Sequence, residues 1–330
     1  MSRCDVPRLL SWARDNGVRL HPSVEVRATA DRGLGVFASG PLAAGVPILS
    51  VPSGLLLSPL SAARSETPPS LAAVREQIAR LSATLTLRLT DELALIVLLL
   101  RREGARSWWS PWLDCLPGSF DNTLQWSEAE LRELQASRVV EWTRQRNASA
   151  GATLERLQRA WAVAGAMPDA MAPSREEWEW GLAVVWSRSF GMPLASGGGT
   201  APILMPVSGM FNGAAYPARL VQRLHAAGEL AFPPDAPFEV PPPALVASLQ
   251  RLESNAAALF EPRADAFVVT SIAAAAAGAE LLLLYGAGKC AGELAMDYGF
   301  AHAEVSGLPR LDTSVALLST RRLLEHWRAG

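Results

Sequence analysis

Glu25-Val26-Arg27-Ala28-Thr29-Ala30-Asp31-Arg32-Gly33-Leu34-Gly35-Val36-Phe37-Ala38 joins two strand-like runs through a glycine turn. The turn is not a dinucleotide fingerprint: Phe37-Ala38 occupies the region of the third glycine and no long helix follows, so a Rossmann reading fails. An ordinary β-turn, which glycine permits sterically, accounts for these residues. Strand-like text continues at Ala44-Gly45-Val46-Pro47-Ile48-Leu49-Ser50-Val51-Pro52 and Leu55-Leu56-Leu57-Ser58.

Near the other end, Tyr285-Gly286-Ala287-Gly288-Lys289-Cys290-Ala291-Gly292-Glu293-Leu294-Ala295-Met296-Asp297-Tyr298-Gly299-Phe300 holds two of the chain's 3 tyrosines. A buried phenol needs a hydrogen-bond partner, so two phenols beside Gly286 and Gly299 suit a narrow, polar-edged pocket. Two core aromatics flanking a short helix also account for the stretch.

Val6 to Asn16 has apolar residues at helical spacing and is closed by Gly17, and Val24 to Leu57 reads as short strands. From Pro69 the spacing predicts helices over Ser70 to Leu89, Thr90 to Glu103, Ser127 to Ala166 and Ser174 to Phe190. Capping-box spacing occurs at Ser127/Glu130 and Ser174/Glu177. Next come a flexible loop at Ser196 to Thr200, a strand-like Pro202 to Val207 and a proline-rich excursion over Phe232 to Pro243. Strand signals return at Ala266 to Ile272 and Glu280 to Tyr285. The pattern supports an α+β class.

With 49% hydrophobic and 19% charged residues in 330, the chain can bury a substantial core. A net charge of -2 provides no general basic field, which argues against a nucleic-acid partner. Cys4, Cys115 and Cys290 are odd in number and widely spaced with no CxxC pair, so neither a disulfide framework nor a zinc site is expected, and a reducing compartment fits. The apolar runs around Leu93 to Leu100 and Ile272 to Leu284 fall short of a membrane span, and the charged Met1 to Leu20 lacks a signal h-region. A cytoplasmic protein with no membrane partner is expected, with nuclear and plastid locations left open.

Together with Trp109-Ser110-Pro111-Trp112-Leu113-Asp114-Cys115-Leu116-Pro117 and Trp126-Ser127-Glu128-Ala129-Glu130-Leu131, the opening and closing stretches resemble the SET-domain protein-lysine methyltransferases of the plant Rubisco large-subunit type, over nearly the whole chain. The resemblance implies an α+β SET-domain β-fold of short strands split by a large α-helical insertion. It places an N-terminal helix and first SET block at 1–68, the insert at 69–190, a second SET block with the closing tyrosine motif at 191–305, and a residual C-terminal helix at 306–330. The family's helical substrate-gripping domain is then absent or reduced to the helical pattern at Thr313 to Trp327.

The resemblance also implies S-adenosyl-L-methionine as cofactor, a lysine-presenting protein as substrate, a monomer and no metal. Tyr298 matches the family's catalytic tyrosine, and Tyr285 shapes the lysine channel. Arg32, Gly33, Leu34 and Gly35 form the turn that runs along the cofactor. Ser187-Arg188-Ser189-Phe190 matches a helix-ending motif whose arginine, here Arg188, contacts the cofactor. Asn212 matches a cofactor asparagine, Gly213 contributes its main chain, and Glu103 lies near an insert glutamate that also touches cofactor.

The chain departs from the family at Gly209, where an aspartate is the pattern, at Gly213 in place of a histidine, and at Ala291 in place of an asparagine. Methyl transfer to an amine needs alignment and desolvation rather than a strong acid or base, so a channel of rings and carbonyls can supply much of it. A buried hydrogen bond removed from its partner costs about 1–3 kcal/mol. Two functions therefore follow from the sequence: an active protein-lysine N-methyltransferase, or a catalytically inactive SET-like module that binds protein. A purely structural helical scaffold, with incidental tyrosines, is a remote third.

Overall fold

The computed structural model describes residues 4–29, 32–60, 69–82, 84–134, 138–163, 171–194, 199–213, 256–261, 265–283, 285 and 291–299. The readings at Phe232 to Pro243 and Thr313 to Trp327, most of the Ser196 to Thr200 loop, and Gly286, Cys290 and Phe300 lie outside them.

Helix α1 (Val6–Asp15) begins where Asp5 accepts the Arg8 N–H at 3.0 Å, and it ends at Gly17, whose φ of +85° is left-handed. Its Leu9 and Ala13 are buried, and Trp12 packs edge-on to Trp108. Arg8 reaches Ser110 Oγ at 2.8 Å and Asp114 at 3.0 Å across the short helix α4 (Ser110–Leu113). The same junction holds a disulfide between Cys4 and Cys115. This corrects the expectation of no disulfide: the two cysteines are 111 residues apart in sequence, and packing of α1 on α4 brings them together. The argument from cysteine usage to a reducing compartment loses its basis.

A four-stranded antiparallel sheet has the order β1-β4-β8-β7, from β1 (Arg19–Leu20), β4 (Pro47–Pro52), β8 (Ala266–Ser271) and β7 (Ala256–Glu261). Two hairpins flank it: β2 (Val24–Ala28) with β3 (Leu34–Ala38), in register Val26↔Val36, and β5 (Phe190–Pro193) with β6 (Thr200–Ile203). β2 alternates buried Val24 and Val26 with exposed Glu25 and Arg27, as a half-buried strand must. Among the described residues, the strand expected over Glu280 to Tyr285 forms only single bridges, Phe37↔Glu280 and Gly213↔Leu283.

The helical part comprises α2 (Pro69–Ser82), α3 (Leu89–Arg102), α4, α5 (Glu128–Glu133), α6 (Arg138–Val163) and α7 (Arg175–Arg188). Both expected capping boxes are present, at Ser127/Glu130 for α5 and Ser174/Glu177 for α7. The long helix expected from Ser127 is two, α5 and α6, and residues 84–88 separate α2 from α3, where Arg88 pairs with Asp91 at 2.8 Å.

Residues Leu93 to Leu100 of α3 are all buried, because α2 and α7 pack against this helix. Gly181 permits the α3–α7 crossing: a Cβ there would lie 2.9 Å from the Ala94 carbonyl oxygen. Arg102 then clips α3 to Glu177, the carboxylate that closes the α7 capping box. Among the described residues no helix is long and apolar enough to cross a membrane.

Candidate functional site

Glu280 joins segments from three parts of the chain. In the β2–β3 turn, Thr29 N–H donates to the Gly33 carbonyl at 2.6 Å and Arg32 N–H to Thr29 Oγ1 at 2.9 Å, with Gly33 at φ +76°. Gly35 is pressed so closely that an added Cβ would lie 2.8 Å from Glu280 Oε1 and 2.8 Å from the Phe37 ring. The Glu280 side chain, 12% exposed, accepts from Arg32 at 2.5 Å and from Asn212 Nδ2 at 2.7 Å. Asn212 Nδ2 also meets the Leu34 carbonyl at 3.2 Å.

Asn212 is delivered by a tight path. Val207 has φ +66° and ψ -42°, and Ser208 N–H donates to the Pro206 carbonyl at 2.8 Å. This is a γ-turn of the rare, strained hand at a β-branched residue. A short 3₁₀ turn (Ser208–Met210) follows, after which Leu283 N–H donates to the Asn212 carbonyl at 3.0 Å and Gly213 pairs in parallel with Leu283. The main chain at 212–213 is therefore anchored without help from a side chain at 213.

The Tyr285 hydroxyl donates to the Phe211 carbonyl, and its ring stacks on Tyr298 with centroids 4.7 Å apart at 23°. A Cβ on Gly213 would sit 3.0 Å from the Tyr285 ring, so any side chain at that position would displace the ring. Burial pushes the Tyr285 phenol up to about 12, against the pull of Arg188. At neutral pH it is a hydrogen-bond donor and not a base.

Arg188, at the C-terminal end of α7, donates from Nη1 to the Gly209 carbonyl. Burial lowers its pKa, and its buried Nε has no hydrogen-bond partner. Among the described residues no carboxylate forms an ion pair with it. A Cβ on Gly209 would lie 3.5 Å from Arg188 Nη1, so the position where the family pattern has an aspartate faces this guanidinium.

Tyr298 closes helix α8 (Ala291–Tyr298). Arg146 of α6 donates to Asp297 Oδ1 at 2.6 Å and to the Met296 carbonyl at 3.2 Å, and its guanidinium lies 3.8 Å over the Trp186 ring of α7. One arginine thus ties α6, α7 and α8 together. Gly299 has φ +79°, and a Cβ there would stand 2.1 Å from the Asp121 carbonyl oxygen, so only glycine fits directly after Tyr298.

The fold therefore gathers Arg32 to Gly35, Arg188, Asn212, Gly213, Tyr285 and Tyr298 through the contacts above. Glu103 is the C-cap residue of α3 and takes no part in those hydrogen bonds; Ala291 opens α8. Glu280 was missed from sequence, although a signal existed: it is the one charged residue between Asp265 and Lys289. Arg146 was missed because nothing local distinguishes it from the other arginines of α6. No group of three or more His, Cys, Asp or Glu among the described residues could hold a metal.

This is a SET fold. Among solved structures, the chain superposes on the SET domain of Rubisco LSMT bound to lysine and AdoHcy with a TM-score of 0.64 at 20% identity, covering 90% of this chain and 57% of that one. A structure of Rubisco LSMT bound to sinefungin and monomethyllysine superposes with a TM-score of 0.61 at 22% identity, covering 90% and 56%. The fold is thus that of the Rubisco large-subunit methyltransferase type, in a divergent sequence. No family model matches the chain.

In sequence it is similar to an actin-histidine N-methyltransferase of Canis lupus familiaris, 26% identical over 209 residues, which is 62% of this chain and 34% of that protein. It is also 28% identical over 141 residues to a chloroplastic [fructose-bisphosphate aldolase]-lysine N-methyltransferase of Arabidopsis thaliana, covering 42% of this chain and 26% of that protein. The chain spans about a third or less of the length of these curated relatives.

Proposed function

We propose that this chain is an S-adenosyl-L-methionine-dependent protein N-methyltransferase whose acceptor is a lysine side-chain amine. The observation that carries the reading is the stacked Tyr285–Tyr298 pair set beside Arg188 at the junction of the Arg32–Gly35 turn with Asn212 and Gly213. The curated relatives are protein methyltransferases, which favours an active enzyme over an inert binding module.

The residues suit the cofactor. Arg188 is a partly buried cation with a buried, unpartnered Nε and, among the described residues, no carboxylate paired to it, which matches a ligand bearing an α-carboxylate. The Gly33–Gly35 backbone and the anchored main chain at 212–213 offer groups that survive the side-chain replacements. S-adenosyl-L-methionine, when bound, supplies a methyl group on a positively charged sulfur. Around the acceptor, the two tyrosine rings exclude water and so favour the neutral amine over the ammonium. The Tyr285 hydroxyl, spent on the Phe211 carbonyl, fixes that ring, and Arg146 fixes the helix carrying Tyr298. The Tyr285 hydroxyl takes no proton at neutral pH; the ammonium would lose its proton to solvent before attack, and the methylated product would carry the positive charge that leaves the sulfur.

Histidine is the second acceptor reading, favoured by the 26% identity to an actin-histidine enzyme. Isothermal calorimetry with S-adenosylmethionine and S-adenosylhomocysteine comes first; one site of micromolar affinity, about -8 kcal/mol, is expected. Transfer of a labelled methyl group to proteins of an extract, with the modified side chain read by mass spectrometry, separates lysine from histidine. Tyr298→Phe keeps the ring and removes the hydroxyl of the residue that matches the family's catalytic tyrosine; transfer should be lost while cofactor binding persists, and an unchanged transfer rate would remove that hydroxyl from a catalytic role.

A further inference from the structure

Arg188 and Gly209 share a small pocket walled by Trp112, Leu116, Leu204, Met205 and Met210, with room for about one water-sized particle. The Cys4–Cys115 bridge forms part of its wall through Cys115. Arg188 lines this pocket, its Nε is buried without a partner, and the hydrogen bond the guanidinium makes is to a neutral carbonyl, that of Gly209. None of the lining side chains is a carboxylate, a hydroxyl or an amide. The ionisable group that couples to Arg188 is Tyr285, a neutral phenol at physiological pH.

Arg188 is partly buried, but its Nε is fully so, and a buried N–H needs an acceptor that the lining side chains do not supply. A lone water needs two to four polar partners, and the wall offers its hydrogens no side-chain acceptor, the Gly209 carbonyl being already engaged by Nη1. A monatomic anion needs donors only, and Nε–H is an unused donor. We propose that this pocket is a binding site for a small monovalent anion of chloride size, which serves as the internal counter-ion of Arg188. The ligand would act from the Gly209 side, distinct from the carboxylate-bearing ligand proposed for the face toward Tyr285. The site does not depend on methyl transfer, so it can be tested whether or not the enzyme reading holds.

The experiment is thermal unfolding of the full chain, without cofactor, in sodium chloride against sodium gluconate at matched ionic strength. Saturable chloride stabilisation is expected, with the folded-to-unfolded ratio rising about ten-fold when chloride reaches ten times its dissociation constant, and gluconate should do nothing comparable. Gly209→Asp, which sets a carboxylate beside Nη1, should unfold at a higher temperature in gluconate and lose the chloride response, while Gly209→Asn should keep it. Crystals soaked in bromide provide a readout independent of any variant, an anomalous peak within hydrogen-bond distance of Arg188 Nε. Equal effects of chloride and gluconate, a chloride response that persists in Gly209→Asp, or a peak assignable to water would each overturn the proposal. So would bromide in the crystal with no chloride response in solution, which would mean an adventitious ion only.

Discussion

Replacing Glu280 tests whether the three-segment junction is a binding site or only a structural knot. Its carboxylate, 12% exposed, takes one hydrogen bond from Arg32 at 2.5 Å and one from Asn212 at 2.7 Å. The Arg32 side chain is 45% exposed, so solvent screening limits that ion pair to about 1 kcal/mol or less. The Asn212 bond lies inside and contributes about 1 kcal/mol. Glu280→Gln keeps an acceptor for Asn212 but sets an amide where Arg32 needs a charge, so the loss of stability is about 1 kcal/mol. Glu280→Ala loses both and leaves Asn212 Nδ2 with only the Leu34 carbonyl, for a loss of about 2–3 kcal/mol. If the Arg32–Gly35 turn and Asn212 hold the cofactor, S-adenosylhomocysteine affinity should drop about 5-fold in the glutamine variant and about 30-fold or more in the alanine variant. Calorimetric titration beside urea unfolding separates the two effects. Variants that lose stability yet bind with unchanged affinity would refute the cofactor role of the junction.

Three other outcomes follow from the same geometry. Gly35→Ala forces a Cβ to within 2.8 Å of Glu280 Oε1 and of the Phe37 ring, which should destabilise by about 1–3 kcal/mol in chemical denaturation and weaken cofactor binding; a neutral result would mean that the turn relaxes freely. The Tyr285 phenol, pushed up to about 12 in the folded chain against an ordinary 10, stays neutral while the unfolded chain ionises. Its stabilising share is therefore complete below pH 10 and is lost as pH rises toward 12, by up to about 3 kcal/mol, and Tyr285→Phe should flatten the alkaline limb of a stability-versus-pH curve. Cleaving the Cys4–Cys115 bridge frees a loop of 111 residues, so reductant or the Cys4→Ser/Cys115→Ser pair should remove about 2–5 kcal/mol; identical melting with and without reductant would contradict the bridge.

Much of the architecture was legible because its causes are local. The two capping boxes needed only Ser127 with Glu130 and Ser174 with Glu177, and the β2–β3 hairpin needed only alternation around Gly33. Helix α1 needed the apolar spacing and Gly17. Where the text is a run of one apolar residue, as over Leu281 to Leu284, alternation could not say whether the segment ladders or bridges, and among the described residues it bridges. The division between α2 and α3 was expected at Leu89/Thr90, but α2 ends earlier, at Ser82, since residues 84–88 contain neither glycine nor proline to mark where the first helix stops.

The site divides in the same way. Tyr285, Tyr298 and the glycine turn drew attention by type and clustering, which are properties of the text. Their mutual stacking, the hydrogen bond of Tyr285 to Phe211 and the clamp by Glu280 depend on which distant segments the fold lays side by side.

What the sequence by itself determined is the α+β class, the ends of several helices and the residue types that carry the candidate chemistry, because capping, turn and periodicity signals act over a few residues. What only the tertiary structure decided is the Cys4–Cys115 bridge, the strained turn at Val207, the pairing of Gly213 with the Tyr285 ring and the isolation of the Arg188 charge. The bridge and the Gly213–Tyr285 contact join segments far apart in the chain, and the strain at Val207 is held by the fold around it; such features are selected by packing of the whole core rather than by neighbouring residues.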